Sequence, residues 1–382
     1  MAKKLRFKFP VGKLDIEMLS IITIMVLFGL VMVGSASSVT ALYKFNNSMH
    51  FLSKQFIIAA AGYILMLLVS QIDYHALTKP PVLLAAYAVV WFAMLYAGVF
   101  GEEINGARRW ISVAGMTVQP SEPAKIVLIL LVAFVCSKQS KKSLDSFGGS
   151  VGLYMGIIAV TAIPLLVEKH KSATVIFALV TVTIAFLGGA RIKYYLMMAP
   201  FALTGLMFWF LKDDYSRRRL MCVFDPFVDA RNAGYQAAQS LYAIGSGGIF
   251  GLGFGRSQQK IMYIPEPQND FIFSIICEEL GMIGAIAVMV LFIFFMFRGI
   301  KIAAEAPDKL GRLIALGLTA LIMFQFVINI AVVSALFPVT GMPLPFFSAG
   351  GTNLLFTLAS MGLLLNVSKQ STKKKSNPVK ER

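Results

Sequence analysis

Charge is the first thing this chain lacks. Only 14% of its 382 residues are Asp, Glu, Lys or Arg, against 57% hydrophobic. A water-soluble chain of this length needs far more charge to cover its surface. Acidic residues are the scarcer kind, 19 against 35 basic, for a net charge of +16. In a soluble protein that excess would point to nucleic acid. In a chain this apolar, basic residues read first as anchors of cytoplasmic loops, and no nucleic-acid partner is expected. Cysteine is sparse as well. The spacing of Cys136, Cys222 and Cys277 fits neither a disulfide framework nor a zinc site, which leaves them as packing residues. No Walker lysine motif occurs. In GSGGIFGLGFG, 245–255, Gly251 and Gly253 lack the third glycine of the dinucleotide fingerprint, so the stretch reads as a flexible or re-entrant turn. These absences exclude a soluble enzyme, a disulfide-stapled secreted domain and a disordered chain.

What the chain has is apolar runs longer than the ~18 residues a membrane-crossing helix needs. They predict an all-α polytopic membrane protein with ten transmembrane helices, at about 17–39, 52–71, 80–99, 120–137, 150–167, 172–190, 193–211, 270–297, 312–337 and 347–367. The start, MAKKLRFKF followed by an apolar stretch, also resembles a signal peptide. Nine further hydrophobic segments favour a first membrane helix. With the N-terminus inside, the inner segments carry 21 of the 35 Lys and Arg and the outer segments 14. That bias predicts an N-in, C-in arrangement. The expected divisions are a basic cytoplasmic N-terminus (1–16), a membrane domain (17–367) and a basic tail (368–382). The tail is read as a disordered arm near anionic lipid or as a plain topology anchor. The one long non-membrane segment, 212–269, is expected outside, between helices seven and eight. Loops that long are usually functional or disordered, and its aromatics and glycine turns favour function.

Charge near the bilayer centre costs roughly 2.5–3.5 kcal/mol, so it needs a task or a partner. The outer half is rich in it. In GEEINGARRWISVAGMTVQPSEPAK, 101–125, Arg108 and Arg109 oppose the positive-inside bias and offer forked donors suited to phosphate oxygens. Trp110 is expected at headgroup level. Pro120 and Pro123 fit only a first helical turn. Glu122 and Lys125 then share one helix face, either as a self-satisfied ion pair or as a substrate contact. DDYSRRR, 213–219, contributes Arg217 and its neighbours, as a face for lipid headgroups or for an anionic lipid substrate.

In YIPEPQNDFIFSIICEELG, 263–281, Asp270 falls where polar loop gives way to apolar helix. Ser274, Cys277, Glu278 and Gly281 would continue its face. A helix N-terminus favours the carboxylate, and apolar neighbours oppose it. Asp270 is therefore either a helix N-cap or a general base taking a proton from a substrate hydroxyl. Glu278 and Glu279 lie deeper and suit a proton relay or an ion pair. Gln325 and Asn329, i,i+4 on helix nine, are expected to hydrogen-bond across helices.

NGARRWI, QPSE with Lys125, QSLYAIGSGGIFGLGFGRSQQK, PEPQNDFIF and EELG together resemble the SEDS family, the shape, elongation, division and sporulation proteins, nearer its FtsW and SpoVE branch than RodA. The likeness runs from Ser35 to Lys369. Three segments depart from it. EKHKSAT at 168–174 stands for a QPHLSGT- or QPDLGT-like segment, Asn269 for a common Thr, and SAGGTN at 348–353 for SYGGSS. The resemblance implies a peptidoglycan glycosyltransferase of the bacterial cytoplasmic membrane, its active face extracellular. It would polymerise lipid II during division or sporulation beside a class B penicillin-binding protein. It assigns the essential aspartate to Asp270 and the Arg-Arg-Trp loop and helix-four pair to Arg108, Arg109, Trp110, Glu122 and Lys125. Arg217, Glu266 and Gln268 join them as substrate contacts, with Gln239, Ser240, Lys260, Glu278 and Glu279 in support. A divalent cation, Mg or Mn, is compatible with the leaving diphosphate, although no His/Asp cluster demands one. The rival reading is a lipid II flippase whose path is lined by Glu122, Lys125, Glu278 and Glu279. A third is a non-catalytic scaffold that positions its partner synthase.

Overall fold

The computed structural model describes residues 12–376 except 105–106, 114–115 and 213. Residues 1–11 and 377–382 of the basic ends, Asn105–Gly106 of the NGARRWI motif and Asp213 lie outside the described residues.

Apolar runs become helices because backbone polar groups in a bilayer can be satisfied only within the segment. The order is α1 (Ile16–Phe45), α2 (His50–Val69), α3 (Tyr74–Leu77), α4 (Pro80–Phe100), β1 (Glu102–Ile104), β2 (Ala107–Val113), β3 (Met116–Val118), α5 (Ser121–Lys138), α6 (Lys141–Leu144), a π-turn (Gly148–Gly152), α7 (Leu153–Val167), α8 (Lys171–Leu187), α9 (Ile192–Leu211), α10 (Asp214–Met221), α11 (Tyr235–Gly247), α12 (Ile272–Ala304), α13 (Lys309–Val333) and α14 (Gly351–Ser376). Among the described residues, seven helices are long and apolar enough to cross a membrane. Each of the ten expected segments falls on a helix.

Several expectations change. Helix eight starts at Ile272, which leaves Asp270 in the preceding turn, and it runs to Ala304. The last helix starts at Gly351 and continues through Ser376, so the first part of the tail is helical. The 212–269 segment contains α10 and α11. The connection 102–118 is an antiparallel sheet in the order β1-β2-β3. The all-α reading had no place for it, since the apolar pattern does not register strands this short.

α12 packs on α1, α11 and α13, α13 on α5 and α8, and α14 along α2. Phe292 stacks on Phe326 at 4.0 Å in the core between α12 and α13. α9 stands apart, with no buried residue among those described. Both described ends of the chain meet at one end of the bundle. There Asp15 caps α1 by accepting from Met18 N (2.9 Å), takes Arg298 of α12 (2.7 Å) and accepts from Ser368 of α14. Arg298 lies near the C-terminal end of α12 and Asp270 just before its start, beside Asn329 at the far end of α13 from its Asp308 cap, so Asp270 lies at the opposite end. The three cysteines are free and buried.

Candidate active site

Asp270 does not cap α12. The N-cap position is Phe271, with no side-chain capping bond. Asp270 is held by its backbone instead. Its carbonyl accepts from Asn329 Nδ2 (2.8 Å), and the same amide donates to the Met342 carbonyl (2.7 Å). Asn329 thus ties the turn before α12 to the 334–350 connection, a bond to loop backbone in place of the expected bond across helices. At Gly341, a Cβ would stand 3.3 Å from Asp270 Oδ2, so backbone approaches the carboxylate closely there. The carboxyl is half-buried. Desolvation pushes its pKa up to about 6. The Glu266 charge adds to the rise, and the Arg219 and Arg109 guanidiniums oppose it. A carboxylate with that pKa is ionised at neutral pH and still a competent proton acceptor.

Four other elements reach this end. β2 supplies Arg109, whose Nε and Nη2 donate to the carbonyls of Glu168 (3.3 Å) and Lys169 (2.8 Å). Side chains alternate across a strand, so Arg108 turns away to Glu103 (3.5 Å) and the Val99 carbonyl (3.2 Å). The structure does not bring it to Asp270. Trp110 pairs with Glu102 in the sheet and is half-buried. In α5, buried Lys125 and Glu122 form the i,i+3 ion pair at 2.8 Å. Beyond α9, Arg217 is exposed and paired with Asp214 (2.9 Å). Arg219 donates to the Val339 carbonyl (2.7 Å) and acts electrostatically on the Asp270 carboxyl. Two positions separate them on α10, so they lie on different sides of that helix. Glu266, at positive φ (47°), is exposed and accepts from Asn269 Nδ2 (3.0 Å). Gln268 is buried, its carbonyl accepting from Ala349 N (2.8 Å).

Sequence reasoning missed the α7–α8 turn as a site. Glu168 is fully buried, and burial pushes its carboxyl up to about 8, with Arg109 opposing. His170, also buried, is pushed well below the ordinary imidazole value by desolvation and by Arg109 and Lys125. Ser172 donates to the Thr340 carbonyl (2.8 Å), which ties this turn to the 334–350 connection. Among the described residues, Ser121 Oγ, both Glu168 carboxyl oxygens, His170 Nδ1, Gln268 Oε1, Asn329 Oδ1 and Thr340 Oγ1 are buried without a hydrogen-bond partner. Buried polar groups are ordinarily paired, and a concentration of unpaired ones asks for an explanation. Function is one, because such groups can pair with a ligand.

The supporting acids are structural. α12 breaks at Gly281 (φ 68°, ψ −162°), so the face projected from Asp270 to Gly281 is not continuous. The break frees the carbonyls of Glu278 and Glu279, which accept from Leu252 N (2.9 Å) and Gly253 N (3.0 Å). Met282 N and Ile283 N in turn donate to Gly248 O and Ile249 O. The glycine-rich stretch thus completes a broken helix. At Gly251 and Gly281 any Cβ would collide with the opposing backbone. The Glu278 carboxylate accepts from Ser257 Oγ and from Gln258 N (2.9 Å). Glu279 takes Lys260 Nζ and Ser35 Oγ, both at 2.7 Å. Ser240 bonds Ser274 and the Val333 carbonyl, each at 2.6 Å, and Gln239 is half-buried beside it on α11. This network fixes the loop that leads into Asp270. Among the described residues no three His, Cys, Asp or Glu side chains converge as metal ligands.

The family model for FtsW/RodA/SpoVE cell cycle proteins matches residues 16–373. Stage V sporulation protein E of Bacillus subtilis is 38% identical over 356 residues, covering 93% of this chain and 97% of that protein. The probable peptidoglycan glycosyltransferase FtsW of Geobacter metallireducens is 36% identical over 375 residues, covering 98% and 99%. Among solved structures, a chain of a peptidoglycan synthase complex that coordinates polymerization and crosslinking superposes with a TM-score of 0.78 at 25% identity, covering 93% of this chain and 97% of that one. The rod shape determining protein RodA of Thermus thermophilus gives 0.68 at 25% identity, covering 93% and 96%. The chain is a polytopic membrane protein and belongs to the FtsW/RodA/SpoVE family of cell cycle proteins.

Proposed function

We propose that this protein is a peptidoglycan glycosyltransferase that polymerises lipid II at the outer face of the bacterial cytoplasmic membrane, in division or sporulation. Ten helices cross the membrane with both termini inside, so the Asp270 end faces out. A class B penicillin-binding protein supplies transpeptidation, and divisome or sporulation proteins accompany the pair. The observation that carries the reading is Asp270. Its carboxyl, raised to about 6, stands in the field of Arg109 and Arg219 at the end of the bundle remote from both described chain ends.

Asp270 takes the proton of the acceptor sugar's 4-hydroxyl as that oxygen attacks the donor's anomeric carbon. The bond to the diphosphate breaks, and polyprenyl diphosphate leaves with the electron pair. An α-linked donor giving a β-1,4 product inverts, so one displacement and one base suffice. Charge grows on the departing diphosphate, where the Arg109 and Arg219 guanidiniums stabilise it. A side chain at Gly341 would crowd Asp270 Oδ2, so glycine there keeps the carboxylate from being blocked. The lipid tails stay in the bilayer while the sugars reach the polar end.

The flippase reading draws on a small cavity of mixed lining, with Glu122, Lys125 and Gln325 beside Leu321, Ile322 and Phe356. The deep acids it also needs are committed elsewhere, Glu278 to loop amides and Glu279 to Lys260. The test is polymerisation of fluorescent lipid II in detergent by the purified protein with its partner, since detergent removes sidedness. Wild type is expected to give glycan and Asp270→Ala none. Translocation in a leaflet assay without glycan in detergent would establish the flippase instead.

A further inference from the structure

Glu168 is the most anomalous group at the Asp270 end. It is fully buried, and neither carboxyl oxygen has a hydrogen-bond partner. A buried ionised carboxylate without a partner costs several kcal/mol, and a cation to relieve it is within reach. Yet Arg109 spends Nε and Nη2 on the backbone carbonyls of Glu168 and Lys169, not on the carboxyl. The nearest side-chain nitrogen recorded is His170 Nδ1 at 3.7 Å, beyond hydrogen-bonding range and itself buried without a partner.

The remaining charges around this turn do not neutralise it. α5 brings Lys125, already paired with Glu122. β1 brings Glu103, paired with Arg108 on the far face of β2. Lys171 turns to Ser216 (2.7 Å). Lys169, the turn's own remaining cation, sits at positive φ (52°). Burial therefore keeps Glu168 as the acid and His170 as the neutral imidazole at neutral pH.

A carboxylic acid presents one donor and one acceptor, and a neutral imidazole does the same. Such a pair repels neither anion nor cation strongly and attracts neither. It suits groups that donate and accept together, which means hydroxyls and amides. We propose that Glu168 and His170 form an uncharged subsite for the hydroxyl or acetamido groups of the lipid-linked sugar, set beside the Arg109 guanidinium that takes the diphosphate. This rests on the glycosyltransferase reading. Arg109 is tied to the backbone of this turn. When a diphosphate draws the guanidinium off the Glu168 and Lys169 carbonyls, the turn is freed to present the buried acid and imidazole to the sugar attached to it. Ser172, two residues on, is tied to Thr340, and Gly341 adjoins the Asp270 carboxylate, so the subsite lies one loop from the base.

Sugar and diphosphate can be separated experimentally. The full chain with its partner carries Asp270→Ala to stop turnover, and binding of two fluorescent probes is measured, lipid II and undecaprenyl diphosphate. Adding Glu168→Ala or His170→Ala is expected to weaken lipid II about 5–10-fold, the worth of roughly one neutral hydrogen bond. Undecaprenyl diphosphate binding should stay within about 2-fold. Arg109→Ala should weaken both probes. With Asp270 intact, Glu168→Ala should raise KM by a similar factor more than it lowers kcat. Glu168→Gln should recover most of the loss and delay the activity loss of wild type above about pH 8, where ionised Glu168 would compete with the diphosphate for Arg109. Unfolding midpoints identify any variant that fails to fold, and His170→Asn then carries the test. Equal weakening of both probes by Glu168→Ala, no weakening of either, or Glu168→Gln as impaired as Glu168→Ala would overturn the subsite while wild type still makes glycan. A wild type that makes no glycan and binds neither probe overturns the glycosyltransferase reading, and this inference with it.

Discussion

The two ends of the helix bundle treat their polar groups in opposite ways. At the Asp15 end the acidic side chains find partners. Arg298 reaches both Asp15 and Glu17, His75 bridges Asp73 (2.8 Å) and Asp308 (2.7 Å), and Arg191 takes Asp145 (2.8 Å). Asp73 and Asp308 also cap α3 and α13. These contacts join neighbouring connections and are complete in themselves. At the Asp270 end, Glu168, His170, Gln268, Asn329 and Thr340 keep buried atoms without partners, and Asp270 keeps a raised pKa. A fold that pairs its acids at one end has no general reason to leave Glu168 bare at the other. The difference supports the proposal that the unsatisfied end meets the ligand, because perturbed and unpaired groups concentrate where chemistry is done.

The largest expected break in this comparison is Asp270→Asn. It should lower polymerisation on the order of 10²–10⁴-fold, the usual worth of a general base. It should also stabilise the fold. A carboxyl whose pKa rises on folding binds its proton more tightly in the native state, so stability falls as pH climbs from its unfolded value towards 6. Removing the charge returns on the order of 1–3 kcal/mol at pH 7, read as a higher unfolding midpoint. An unchanged or lower midpoint would mean Asp270 is a structural group like those at the Asp15 end.

Next is Lys260→Ala. It strands the fully buried Glu279, which should cost about 3–5 kcal/mol in thermal unfolding. Lys260→Met with Glu279→Gln should regain much of that, since removing both charges leaves neither uncompensated. Arg298→Ala is smaller, about 1–2 kcal/mol from lost charge-assisted bonds to Asp15. Its glycan yield per folded molecule should stay at the wild-type level, in contrast to Arg109→Ala.

The smallest effect concerns His75. The bond to Asp308, with Asp73 assisting, raises its pKa above the ordinary imidazole value. Its contribution to stability is therefore present below the unfolded pKa and lost as pH rises through the folded one. His75→Ala should flatten the unfolding midpoint between pH 6 and 8 and leave polymerisation unaltered.

Much of this was legible in the residues. Apolar runs located the helices, Pro120 and Pro123 marked the start of α5, and the Glu122–Lys125 spacing foretold its ion pair. The polar-to-apolar step singled out Asp270. Other features depend on chain path. Nothing local says that α12 breaks at Gly281 and is completed by residues 248–253, because the bonds that repair it come from a segment about thirty residues away. Arg217 and Arg219 are alike in sequence. Only the rotation of α10 sends one to Asp214 and the other to Val339. Glu168 and His170 look like a surface turn in EKHKSAT, and their burial comes from the chain path, with Arg109 of β2 bonded to the backbone of that turn. The sheet escaped because its strands are short and their polarity is mixed.

The central claim is that Asp270 supplies the base, and its neighbour Glu266 offers the most direct test. The Glu266 charge helps to raise the Asp270 pKa, so the acid limb of the pH profile of kcat/KM for lipid II polymerisation should fall near pH 6 in wild type and move to lower pH in Glu266→Gln. A limb that stays in place when that charge is removed would assign the proton acceptor to another group and contradict the account.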